Sequence, residues 1–160
     1  MYDDYPVNKV EFEYSDLEEA FPSIDCQHAP CGPFVVVQIR TPKTVTKGGI
    51  ILSDDSKAVE QDNTQVAKVI AIGPQAFRDK FTGEEWAGGA WYAVGDFVRA
   101  PKYGGDRWNV KAQRKEGEKK VGKIVIPAKT TDCEAQFAMF RDTDIRMKVR
   151  GDPRRIKSFL

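Results

Sequence analysis

The chain is built from short β-branched runs set between prolines and glycines. Phe34-Val35-Val36-Val37-Gln38-Ile39 lies between Pro33 and Pro42, and the run from Gln65 to Ile72 stops at Gly73-Pro74. Val94-Gly95-Asp96 turns into a third run, Phe97 to Ala100. Lys123 to Pro127 and Ala138 to Phe140 read as further strands. Ile145, Met147 and Val149 alternate with charged residues, as a half-exposed last strand does. β-Branched side chains are stiff at χ1 and fit a pleated surface, and strands this short with turns between them pack as a barrel or a sandwich. Against this stands one helix signal. Ser15-Asp16-Leu17-Glu18 has the capping-box spacing, which predicts a short helix through about Phe21, ended by Pro22.

Length and charge bound the rest. The 160 residues suit one domain with extensions, and at 41% hydrophobic and 31% charged residues the chain can bury a core without staples. The formal net charge of +1 hides a segregation. Residues 1–33 hold eight acidic side chains and one basic one, Lys9, whereas residues 99–129 hold ten basic and three acidic ones. The stretch from Arg146 to Leu160 sets six basic residues against Asp152. An acidic arm and two basic segments can pair within a molecule or between subunits. No apolar run approaches the roughly 18 residues that cross a membrane. The acidic start MYDDYPVNKVEFEY lacks the apolar core of a signal peptide, and three cysteines fit a reducing compartment better than a disulfide framework. A cytoplasmic protein is expected.

The segment Lys47 to Lys57, KGGIILSDDSK, is the least ordinary in the chain. Gly48 and Gly49 loosen the backbone, Ile50, Ile51 and Leu52 follow without a polar break, and Ser53-Asp54-Asp55-Ser56 belongs in water. Such an island is either a short buried strand or a set of side chains held out for a partner to bury.

The order of these pieces is VVVQIR, a polar stretch, GGIIL, AKVIAIG, a loop, VGDFVRAPKYGG and finally FAMFRDTDIRMKV. It resembles the GroES, or chaperonin 10, co-chaperonin family over about residues 34–104 and 137–149. GGIIL alone is a weak signal, and its place before AKVIAIG and VGDFV makes it specific. The resemblance implies a GroES-like, partly open β-barrel at 34–149 that assembles into a ring. Within it, 41–64 would be the mobile loop, 74–93 would take the place of the roof hairpin and 105–136 would be an inserted basic hairpin. An acidic N-terminal arm (1–33) and a basic C-terminal tail (150–160) flank the barrel. Gly48, Gly49, Ile50, Ile51 and Leu52 would dock on the apical domains of a GroEL-like chaperonin, and Tyr103 matches a turn tyrosine that faces the folding chamber. The chaperonin, not the cap, would hydrolyse ATP, so no cofactor and no enzymatic activity are expected. The arm, the insertion and the tail exceed a compact bacterial co-chaperonin and suggest a phage-encoded relative. The alternative function is a virion structural protein, a capsid decoration or tail adaptor, whose partners are neighbouring virion subunits.

Other residues could bear on chemistry. Cys26, His28 and Cys31, with distant Cys133, could supply zinc ligands, but the spacing is not a standard knuckle. Ordinary loop thiols are the simpler expectation, ahead of a Cys26–Cys31 disulfide or a His28–Cys31 nucleophile dyad. Lys111, Arg114, Lys115, Lys119, Lys120 and Lys123 could contact nucleic acid, but Glu116 and Glu118 interrupt them and no aromatic ladder runs beside them beyond Trp108. A solvated hairpin, or a partner for an acidic arm, fits better. There is no phosphate loop, GxSxG or HExxH.

Overall fold

The structure is a computed structural model, and it describes residues 14, 16–42 and 64–157. Its elements are a short helix, α1 (Leu17–Ala20), and eight strands: β1 (Phe34–Ile39), β2 (Val66–Ile72), β3 (Phe97–Arg99), β4 (Asp106–Glu116), β5 (Lys119–Val121), β6 (Ile124–Ile126), β7 (Lys129–Arg141) and β8 (Met147–Lys148). Six strands form one sheet in the order β4-β7-β1-β2-β3-β8, and β5 and β6 form a separate pair. All the pairings are antiparallel. The sheet does not return to its first strand, so the fold is the expected mainly β, GroES-like, partly open barrel.

β1 is the central strand, and both its faces are buried. Val35, Val37 and Ile39 point into the main cluster with Val69, Val98, Tyr92, Phe140 and Ile145. Val36 points the other way, into a second cluster with Cys26, Val110, Ala135 and Phe137. Burial on both sides explains the unbroken valine run. The cover for the second face is the segment before β1. Asp16, rather than Ser15, caps α1 by accepting from Glu19 N at 2.8 Å, and Ser15 lies outside the described residues. Phe21 packs on Phe97 with ring centroids 5.2 Å apart. Gln38 is buried on this face and donates through Nε2 to Pro22 O at 2.8 Å.

β2 and β3 match the expected runs to within a residue, whereas β7 does not. Only Ala138 to Phe140 reads as strand in the sequence, yet β7 runs from Lys129 to Arg141. The stretch expected as an inserted basic hairpin supplies β4 and the start of β7, paired in register from Asp106↔Met139 to Glu116↔Lys129. Its polar side chains hide it from a hydrophobic-pattern reading, because a two-stranded ribbon needs no buried face to satisfy its backbone. The expected last strand also changes. Ile145 is fully buried just after a 3-10 turn, Asp142–Asp144, and only Met147 and Lys148 pair with β3.

The chain makes close backbone approaches at Gly73 and Gly105. A Cβ at Gly73 would lie 2.3 Å from Gly32 O and 2.7 Å from Phe34 O. Gly105, at φ +73°, would bring one to 2.6 Å from the Phe140 ring. Gly73→Ala should therefore cost about 1–3 kcal/mol through backbone displacement. Chemical denaturation should show a lower midpoint with an unchanged slope.

Candidate functional site

Gly48, Gly49, Ile50, Ile51 and Leu52 lie outside the described residues. The structure instead shows how both ends of their segment leave the barrel, at the Ile39 end of β1. On one stem, Arg40 N donates to Val66 O at 2.9 Å and Thr41 N to Ala20 O at 2.8 Å, and the Tyr14 hydroxyl donates to Thr41 O. On the other, Thr64 is buried and Ala100 N donates to Gln65 O at 2.7 Å. Tyr14, Ala20, Phe21 and Val66 form a third apolar cluster here, with Phe97 and Ile156 against it.

Arg40 organises this end. It continues the alternation of β1 past Val36 and Gln38, so its side chain falls on the arm-covered face and is buried. Its NH1 donates to Pro153 O at 2.9 Å and Ile156 O at 2.8 Å, and the Tyr14 ring lies 5.4 Å from its Cζ. A buried guanidinium needs such acceptors, since removing them leaves the desolvation cost uncompensated. Arg99 repeats the device by donating from NH2 to Lys157 O at 3.0 Å. Burial, and secondly the charge of Arg40, lower the pKa of Arg99 from its ordinary value. Two cations thus grip the residues after β8 through carbonyl oxygens. That segment is shaped by Asp152, whose carboxylate accepts from Arg154 Nε at 3.2 Å and NH2 at 3.0 Å.

Tyr103 lies in the turn between β3 and β4 and is 78% exposed. Gly104 and Gly105 supply the left-handed backbone there, at φ +88° and +73°, and Lys102 Nζ sits 5.5 Å from the Tyr103 ring centroid.

The thiols and the imidazole are not brought together as ligands. Cys26 is buried, and its Sγ donates to His28 O at 3.1 Å. His28 Nδ1 donates back to Cys26 O at 2.9 Å, and the ring packs 4.8 Å from Trp108. Trp108 Nε1 also donates to Cys26 O, at 3.0 Å. Cys31 is exposed, and Cys133 lies on β7 opposite Ala112, with its Sγ donating to Ala112 O at 3.4 Å. All three cysteines are free thiols, which corrects the Cys26–Cys31 disulfide alternative. Among the described residues no group of three or more His, Cys, Asp or Glu could hold a metal ion. The Cys26–Cys31 loop instead clasps Trp108 through the Cys26 carbonyl.

At the opposite end, where β1 begins, residues 74–93 pack back onto the barrel. Arg78 and Glu85 form an isolated antiparallel bridge. Phe77, held at φ +60°, donates its N–H to Asp142 Oδ2 at 2.9 Å, and Tyr92 OH donates to Asp142 O at 2.9 Å. Burial, then the charges of Asp142 and Asp144, push the Tyr92 phenol well above its ordinary pKa. Sequence reading missed Tyr14, Arg40, Arg99 and Asp142. The available signal for Arg40 was a cation in phase with the second buried face of VVVQIR.

A family model described as the chaperonin 10 kDa subunit matches residues 27–116. No curated protein matches the chain. No helix among the described residues is long and apolar enough to cross a membrane.

Arg40→Met keeps the packing volume but removes the donors to Pro153 and Ile156. It should lower stability by about 1–3 kcal/mol and speed tryptic cleavage at Arg154 and Arg155. A second prediction follows from Asp152. The Arg154 side chain, and then its backbone N–H, hold the carboxyl below its ordinary value. The contribution is therefore complete above the ordinary carboxylate range and fades as pH falls through it. Hydrogen exchange should show Ile156 N–H, which bonds Asp152 O at 3.1 Å, losing protection below about pH 4.

Proposed function

The chain belongs to the chaperonin 10 family, and from that membership we propose that it caps a chaperonin folding chamber by docking Ile50, Ile51 and Leu52 on the chaperonin's apical domains. Membership implies co-chaperonin function in general, partnership with a GroEL-like chaperonin and an oligomeric ring. The observation that carries the finer reading is the family match itself, which spans residues 27–116 and so includes Gly48 to Leu52. The anchoring of residues 41 and 64 at one end of the barrel supports it, because a docking segment works only from fixed stems.

The energetics fit a reversible cap. Burying three aliphatic side chains contributes roughly 1.5–3 kcal/mol each, while ordering backbone costs about 1–2 kcal/mol per residue. One segment therefore binds weakly. Several on one ring bind well through effective concentration, yet release together when the partner's groove changes. The protein's role is positional, and ATP hydrolysis belongs to the partner. Tyr103, exposed on a turn shaped by Gly104 and Gly105, would face the enclosed chamber.

Ile51→Asp tests the reading. The unmodified protein should bind a GroEL-type chaperonin in a nucleotide-dependent way, and the variant should lose that binding while sedimenting as the same oligomer. Equal binding by the variant would remove the segment from the mechanism. A protein that never binds chaperonin but copurifies with virions at structural stoichiometry would be the shell or tail component instead.

A further inference from the structure

β1 pairs with β7 only as far as Ile39↔Gln136. From Ala135 back to Lys129, β7 continues past the end of β1, paired with β4 from Val110↔Ala135 to Glu116↔Lys129. At about 3.4 Å per residue this ribbon projects roughly 20 Å. It leaves from the Ile39 end of β1, where the stems at Thr41 and Thr64 also lie. Beyond it, β5 and β6 make a second, smaller hairpin, with Gly122 at φ +62° in the turn.

That tip is apolar and uncovered. Val121 is 63% exposed, Ile124 68%, Val125 49% and Ile126 40%. Successive strand residues face opposite ways, so Val125 opposes Ile124 and Ile126, and both faces of the tip are open. Exposed β-branched edges are a liability unless something covers them. The tip also repeats, within one chain, the pattern of the docking segment. Gly48-Gly49-Ile50-Ile51-Leu52 has its counterpart in Gly122-Lys123-Ile124-Val125-Ile126.

The charge around the tip selects its occupant. Residues 111–129 hold seven basic residues (Lys111, Arg114, Lys115, Lys119, Lys120, Lys123, Lys129) and two acidic ones (Glu116, Glu118), a net of +5. Two such tips meeting in a pair of copies would oppose like charges. The complementary surface is an apolar groove bordered by carboxylates. We propose that the ribbon tip, through Val121, Ile124, Val125 and Ile126, is a second docking element that seats in such a groove on the chaperonin partner. The proposal rests on the capping function, and it adds a contact that residues 48–52 do not make. The tip aliphatics already sit in paired strands, so little backbone entropy is lost on docking. Each subunit then holds its partner at two points on the same side of the barrel, which raises the effective concentration of each contact.

The test compares three proteins against a purified GroEL-type chaperonin with nucleotide: the unmodified chain, Ile51→Asp, and the double variant Ile124→Ser with Ile126→Ser. Both tip positions are exposed, so the double variant should fold and assemble as the unmodified chain does. Its affinity should fall at least tenfold. A further variant, Lys120→Glu with Lys123→Glu, should slow association and flatten its dependence on salt. If the unmodified chain binds, Ile51→Asp abolishes binding and the tip variant binds within twofold, the tip proposal fails and the capping reading stands. If the unmodified chain does not bind chaperonin, both fall together. A tip variant that changes the oligomeric state would reassign the surface to a contact between copies. A crosslink from residues 1–13 to Cys133, with chaperonin affinity unchanged, would reassign it to the acidic arm.

Discussion

β1 is buried on both faces, and most of the molecule follows from meeting that demand. A strand with one covered face would alternate apolar and polar residues. This one places Val35, Val37 and Ile39 in the barrel interior and Val36, Gln38 and Arg40 under the preceding segment. The second set includes an amide and a guanidinium, which cannot be buried without acceptors. Pro22 supplies one, and Pro153 and Ile156 supply the other. The segments before and after the barrel are therefore its outer layer at this strand, held by the hydrogen bonds of Gln38 on β1 and of Arg40 just past its end.

The same strand gives the barrel two unlike ends. Where β1 begins, Asp142 is buried and accepts from Phe77 N, while its carbonyl accepts from Tyr92 OH, and Phe77 packs edge-on to Trp86 and Tyr92. A bulky residue at positive φ is costly, and it persists only where its surroundings over-determine it. Here a carboxylate, two aromatic rings and the bridge at Arg78 and Glu85 do so. Where β1 ends, the contacts are made by stems, carbonyls and a projecting ribbon. One end is fixed by a closed aromatic core, and the other offers chain outward.

The sheet was legible wherever apolar residues repeat. Phe34–Ile39 was read with the bounds it has, and Val66–Ile72 and Phe97–Arg99 nearly so, because burial writes itself into β-branched runs. The long ribbon was not legible, since its residues from Lys111 to Glu116 are placed by backbone pairing with β7 rather than by an apolar repeat. The segment Gly48 to Leu52 lies outside the described residues, and the anchorage of its stems at Thr41 and Thr64 was not legible. Arg40 looks like a strand-ending cation, and only the fold shows that two of its acceptors lie more than a hundred positions away. The Cys26–His28–Cys31 grouping misled in the opposite sense. The Cys26 carbonyl and the His28 ring meet Trp108, and Cys31 is left exposed, so the three do not converge as ligands.

Arg40 and Arg99 reach carbonyls at Pro153, Ile156 and Lys157, at the end of the barrel from which residues 43–63 leave. The ribbon, with seven basic and two acidic residues over 111–129, carries a net positive charge outward from the same end. Charge of this kind acts mainly on encounter: it steers a complementary surface into contact and is screened within roughly 8 Å at physiological salt. Aliphatic contacts act on residence once water has been expelled. Under the proposed capping function, seating and leaving repeatedly would need the two separated, because strengthening one contact would slow release. Arrival sped by cations and brief holding by small aliphatic groups would meet that need, and the ribbon carries both kinds of side chain.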